Sequence, residues 1–229
     1  HQVRLTKSTS YFNGEQAPAV SGADVRITDG DNTFQLTENP KEPGVYETGP
    51  DAKGIMGKTY TLQIDGVEIN GKTESFTATS TMPHVEEMDS IQVLFIEPWN
   101  GWAVNIFAQE PPTRDFYMFN VYLNNELYSD TISEKIVQSD DFFNGNYTNG
   151  ITSQFLEAND VRAGDTITFE LAGISEEYFK FVIELQTETG FSTPLFSGPP
   201  ANVRTNISNG ALGFFSAHAV SKISEIVEE

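Results

Sequence analysis

Apolar and polar residues alternate along most of the chain with a period of two, which predicts strands rather than helices. Val3 and Leu5 flank Arg4, Val25 and Ile27 flank Arg26, and Tyr60, Leu62 and Ile64 alternate with Thr61 and Gln63. Turn signals separate these runs. Tyr11-Phe12 precede Asn13-Gly14, and Asp29-Gly30-Asp31-Asn32 forms a hairpin-type turn, after which Phe34 and Leu36 resume the alternation. Pro40 and Pro43 break the chain ahead of a short strand at Gly44–Thr48. Asn70-Gly71 then reverses it into a strand through Phe76 and Ala78, and Met82-Pro83 ends the unit.

A second strand-rich unit begins at Asp89. Ile91–Ile96 and Trp102–Phe107 flank Glu97-Pro98-Trp99-Asn100-Gly101, where Asn100-Gly101 is a strong hairpin signal. Phe116–Leu123 and Glu126–Tyr128 flank Asn124-Asn125 as another hairpin. Residues 138–150, rich in Asp, Asn and Gly, read as a long loop, and Phe155 and then Thr166–Leu171 return to strand. One helix is expected near 175–187. Ser175 can cap it, Glu176 and Glu177 suit the positive end of its dipole, Gly190 lies just beyond, and Tyr178, Phe181, Val182 and Leu185 share a face. Near the end, Gly198-Pro199-Pro200 forbids regular structure. A polar run through Asn206 and Asn209-Gly210 then leads to Gly213-Phe214-Phe215, which reads as a clasp closing the second unit before a buried last strand. The expected fold is all-β, in two tandem sandwiches. Residues 1–84 form a transthyretin- or immunoglobulin-like sandwich, and 85–229 a larger, jelly-roll-like one with the helix.

Composition narrows the function. With 229 residues, 38% hydrophobic and 17 Phe, the chain has ample material for packed cores. A formal charge of -20 and the absence of any basic run argue against nucleic acid and against polybasic attraction to lipid. There is no cysteine, hence no disulfide, thiolate metal site or cysteine nucleophile. No apolar run approaches the ~18–20 residues of a membrane-spanning helix.

Candidate chemistry is sparse. His1, His84 and His218 stand in unrelated contexts without metal-ligand spacing, and Gly190-Phe191-Ser192-Thr193-Pro194 is no nucleophile elbow. Adjacent carboxylates at Glu86-Glu87, Asp140-Asp141 and Glu176-Glu177 read as solvated pairs rather than as an acid and base across a cleft. No cofactor is expected. Calcium is the metal that the oxygen-rich loop of Asp140, Asp141, Asn144 and Asn146 would suit, and Asp29, Asp31 and Asn32 crowd oxygens in the same way. Neither loop has EF-hand spacing, and a polar turn is the simpler reading of both. Trp99, Asn100 and Trp102 make a candidate binding tip. Exposed indoles there could stack on a sugar or enter a partner's pocket, whereas a buried one would plug the sandwich end.

Several segments carry a family resemblance. They are Val20–Ile27 with Gly44-Val45-Tyr46, Gly57–Ile64, Phe76–Pro83, Asp115-Phe116-Tyr117, Ala163-Gly164-Asp165, and above all Pro200–Val203 with Asn206-Ile207 and Gly210–Phe215. In this order they resemble the Bacteroidetes surface-lipoprotein family known as domain-of-unknown-function family 4249. The resemblance implies an exported, non-enzymatic protein at the outer membrane or cell surface, held by a lipid on an N-terminal cysteine. It also implies a TonB-dependent outer-membrane receptor as partner, and a role as an accessory or binding component of uptake; a glycan or peptide ligand is what the exposed aromatics, rather than the resemblance, would suit. An anchor cysteine would lie ahead of His1, outside this chain. The other readings are an enzyme acting on glycans or peptides, and a structural or adhesive surface protein.

Overall fold

The computed structural model describes residues 1–9, 17–190 and 201–228. The expected turn at Asn13-Gly14 and the Gly198-Pro199-Pro200 start of the clasp lie outside the described residues. The fold is all-β with one helix, in antiparallel sandwich-like sheets. The chain divides into two compact units, His1–Thr81 with Thr205–Ala217 and Met82–Arg204 with His218–Glu229.

The first unit holds β1 (Gln2–Arg4), β2 (Asp24–Thr28), β3 (Thr33–Gln35), β4 (Thr37–Glu38), β5 (Val45–Glu47), β6 (Thr59–Ile69) and β7 (Lys72–Thr81). These make a four-stranded sheet in the order β3-β2-β6-β7 and a three-stranded sheet in the order β1-β5-β4. Alternation does what the sequence leads one to expect. Val25, Ile27, Leu62 and Ile64 are buried, while their strand neighbours face outward. Tyr46, 1% exposed, fixes the chain ahead of β2, because its hydroxyl donates to Val20 O and accepts from Ala23 N. Asn70 (φ 51) and Gly71 (φ 76) turn β6 into β7 with the left-handed backbone that such a tight hairpin requires.

One edge strand of this sheet is β7, and residues 205–217 cover it. Ser208 N donates to Thr77 O at 2.8 Å, and Thr77 N donates to Ser208 Oγ at 2.8 Å. Asn206 Nδ2 donates to Thr79 O, Asn209 Nδ2 to Ser75 O, and Ala217 N to Ser80 Oγ. A bare strand edge invites pairing with another chain, and here side-chain amides and a hydroxyl satisfy it instead. The clasp expected to close the second sandwich therefore belongs to the first. The expectation failed because a polar loop can satisfy any strand edge, and its own sequence does not say which.

The second unit holds β8 (Ser90–Ile96), β9 (Gly101–Phe107), β10 (Phe116–Leu123), β11 (Glu126–Leu127), β12 (Ile136–Ser139), β13 (Ile151–Glu157), β14 (Thr166–Gly173), α1 (Glu176–Thr189) and β15 (Ala219–Ile226). One sheet runs β11-β10-β14-β15 with β12 also paired to β10, and the other runs β13-β9-β8. Ile91, Val93, Val104 and Ile106 of the smaller sheet share a core with Tyr117, Phe119, Val121, Ile167, Phe169 and Leu171 of the larger. The opposite face of the larger sheet offers Phe116, Met118 and Ala172 to Tyr178 and Phe179 of α1. That double cover is why Phe116–Phe119 are all buried, without the alternation of a one-sided strand. Ser175 caps α1 as expected, its Oγ accepting from Tyr178 N. Two expectations shift. Strand β12 occupies the start of the supposed loop, recruited by pairing with β10 rather than by its own pattern. The last strand is not buried but alternates half-buried and exposed residues, with only one face covered.

Candidate functional site

Three places in the second unit concentrate chemistry. The first is the tip between β8 and β9. Pro98 starts a 3-10 turn over Glu97–Trp99, and Asn100 takes the left-handed conformation (φ 48), its N–H donating to Glu97 O. A Cβ on Gly101 would lie 2.9 Å from Leu156 O, so β13 approaches closely there. The turn sends its two indoles to different surroundings. Trp102 packs edge-on to Phe95 at 5.2 Å against the core, with a buried Nε1 that has no hydrogen-bond partner. Trp99 is 66% exposed and meets the Phe155 ring edge-on at 5.0 Å. Leu94 and Phe155 are themselves exposed and lie in one cross-strand row through Ala103. Asn100 is exposed beside Trp99. The tip thus presents one apolar face of Trp99, Phe155 and Leu94, with the acidic Glu97 and Glu157 exposed in the flanking chain.

The second place is the segment after β12, where the four residues picked out for calcium go separate ways. Asp141 accepts from Arg114 Nε at 3.0 Å and from Ser139 Oγ at 2.8 Å, and the Arg114 bond holds its carboxyl below the usual range. Asn144 Nδ2 donates to Thr113 O, and Asn146 Nδ2 to Asn144 O. Asp140 turns inward. It is 2% exposed, and neither carboxylate oxygen has a hydrogen-bond partner. Its backbone is held firmly, with N donating to Asp115 O and O accepting from both Phe143 N and Asn144 N. It lines a cavity of about 30 Å³ together with Glu110, a residue that the sequence did not single out. Glu110 is 8% exposed and accepts from the Tyr117 hydroxyl at 2.8 Å. Burial raises the pKa of both carboxyls, and each also feels the other's or a neighbour's negative charge. No local signal marks Glu110. Its N–H donates to Asn146 O, and the bridge between Gln109 and Tyr147 brings its strand end to the loop.

The third is Glu170, 6% exposed on the helix-side face of β14. It accepts from Asn120 Nδ2 at 2.7 Å, Tyr122 Oη at 3.3 Å and Lys222 Nζ at 2.6 Å. Burial alone would raise its pKa, but the Lys222 and Asn120 hydrogen bonds outweigh that and lower it. Nearby His218 has a buried, unpartnered Nδ1, and burial lowers its pKa.

The other candidates resolve into structure. In the first unit Asp29 accepts from the N–H groups of Asp31 and Asn32, and the Lys58 ammonium sits 3.1 Å from Asp29 and 2.8 Å from Asp31. A lysine supplies the positive charge that the loop invites. Glu176 and Glu177 pair with Lys180, and Glu177 also pairs with Arg204. Among the described residues, no three His, Cys, Asp or Glu side chains converge as a metal cluster.

One comparison speaks to kinship. The family described as Domain of unknown function (DUF4249) matches residues 1–224. No curated protein matches the chain.

Proposed function

The chain belongs to the DUF4249 family, and from that membership we propose that it is a non-enzymatic surface lipoprotein that serves TonB-dependent uptake at an outer membrane as an accessory, partner-binding component. The observation that carries the binding role is the solvent-exposed Trp99 indole, 66% exposed against Phe155. Large aromatics held rigidly in the open are the residues that dominate protein contacts and stack on sugar rings. A 3-10 turn and a left-handed Asn100 fix the tip, so little order remains to be acquired on binding. The acidic surface suits a soluble body held at a membrane by a lipid rather than by charge.

The non-enzymatic reading has its own support. Asp140 and Glu110 are two buried carboxyls lining one cavity, and about 30 Å³ admits no sugar ring or peptide. A pull-down from native outer membranes tests the proposal. The expected result is enrichment of a TonB-dependent receptor by the wild-type chain and its loss with Trp99→Ala. Recovery of no receptor, together with a periplasmic or cytoplasmic location of the native protein, would overturn it.

A further inference from the structure

Asp140 poses a problem that its surroundings do not solve. A carboxylate taken out of water without a partner costs several kcal/mol, so such a group is normally paired, hydrogen-bonded or bound to metal. Both oxygens of Asp140 are covered and unpartnered. The nearest guanidinium does not help, because Arg114 Nε is spent on Asp141 and its Nη1 lies 3.6 Å from Glu176. No lysine, arginine or histidine lines the cavity. A second acid, Glu110, does, with one oxygen taken by Tyr117.

We propose that the Asp140–Glu110 cavity binds a single calcium ion. Two carboxylates match the charge of one divalent cation. The other polar lining groups are Gln138, Ser139, Ser153, Thr148 and Tyr117, so the donor set is all oxygen apart from the Gln138 amide nitrogen. Such hard, irregular oxygen sets suit calcium, and the absence of nitrogen and sulfur ligands disfavours zinc. Magnesium gives up its water reluctantly, and a cavity of about 30 Å³ has no room for a hydrated ion. Along the chain the site lies next to the surface, since the neighbouring Asp141 and Phe142 are exposed. The backbone of Asp140 is fixed by three hydrogen bonds, so its carboxylate waits in place rather than being ordered on binding.

This differs from the loop that the sequence suggested. Only Asp140 is common to both sets. Its partner, Glu110, comes from the segment that follows β9, and Asp141 is committed to Arg114. The inference is independent of the surface role proposed above.

The test is the melting temperature of the whole chain, stripped with EDTA and then titrated with CaCl2, MgCl2 or ZnCl2, beside calorimetric titration with CaCl2. Calcium should raise the melting temperature by several degrees and bind with one-to-one stoichiometry, and magnesium should not. Asp140→Asn and Glu110→Gln should each abolish the shift, while Asp141→Asn keeps it. Circular dichroism of each variant confirms that it folds. The proposal fails if the wild type shows no calcium-dependent shift, if Asp140→Asn and Glu110→Gln both retain it, or if magnesium acts equally. Either of the last two results would mark diffuse attraction to an acidic surface.

Discussion

Glu170 and Asp140 are two acids of one unit, buried to nearly the same degree, and they have opposite surroundings. Glu170 sits mid-strand with Asn120, Tyr122 and Lys222 closing on its two oxygens. Asp140 sits at a strand end with neither oxygen engaged. Both side chains are taken out of water, and what separates them is compensation. A compensated acid is part of the fold. An uncompensated one either weakens the fold or holds something. Sequence cannot tell them apart, because Glu170 has its partners on β10 and β15, 48 to 52 positions away, set only by strand register.

The largest effect should come from breaking the compensated acid. Glu170→Gln keeps the shape but removes the charge facing Lys222, and should cost about 2 kcal/mol in chemical denaturation. This is less than for a fully buried pair, because the Lys222 side chain is 46% exposed and can turn to water. The pH dependence has a definite sign. The folded pKa of Glu170 is lowered, so its contribution is fully present above the ordinary glutamate value and is lost as pH falls through the folded value. The difference in melting temperature between wild type and Glu170→Gln should therefore be full at about pH 7 and shrink toward about pH 3. An undiminished difference at low pH would mean that the substitution acts through packing rather than charge.

Asp140→Asn makes the same exchange and should act in the opposite direction. Without calcium, removing an unpartnered buried charge should raise stability at neutral pH by about 1 kcal/mol. A loss comparable to that of Glu170→Gln would show that Asp140 has a partner within the protein, and would erase the contrast. Tyr117→Phe sharpens the contrast from the other side of the cavity. It strips Glu110 of its one donor and should cost about 1 kcal/mol, the worth of a typical intramolecular hydrogen bond.

Much of the architecture was legible, for reasons that name themselves. The period-two alternation of Val25 and Ile27 or of Tyr60, Leu62 and Ile64 is a local consequence of having one wet face. The Ser175 cap and the Asn100 turn are local too. What could not be read is whatever depends on a distant partner. The Asn206–Asn209 run looked like a turn, and its role is to supply hydrogen bonds to β7, more than 120 positions earlier. The oxygen-rich loop at Asp140 was visible, but Glu110 was not, since a glutamate before two prolines looks like any loop acid. Trp99 and Trp102 were legible as a pair and illegible as individuals. Which one is buried depends on which face of β9 meets the core, and a 3-10 turn sets that.

Trp99 extends the contrast between met and unmet interaction capacity to the surface. Trp102 is packed against the core, whereas the Trp99 indole is 66% exposed and meets Phe155 edge-on. Trp99→Ala should accordingly shift stability by no more than about 0.5 kcal/mol, the range for surface changes away from caps and cores. It should also leave the behaviour of Glu170→Gln and Asp140→Asn unchanged, because it shares no partner with either. A larger loss would mean that the tip braces β13 through Phe155, and the exposed indole would then be scaffold. A small loss with undiminished partner capture would place the contact surface elsewhere. Only a small loss together with lost capture keeps Trp99 as the contact, since that combination separates a residue held out for a partner from one held in by the fold.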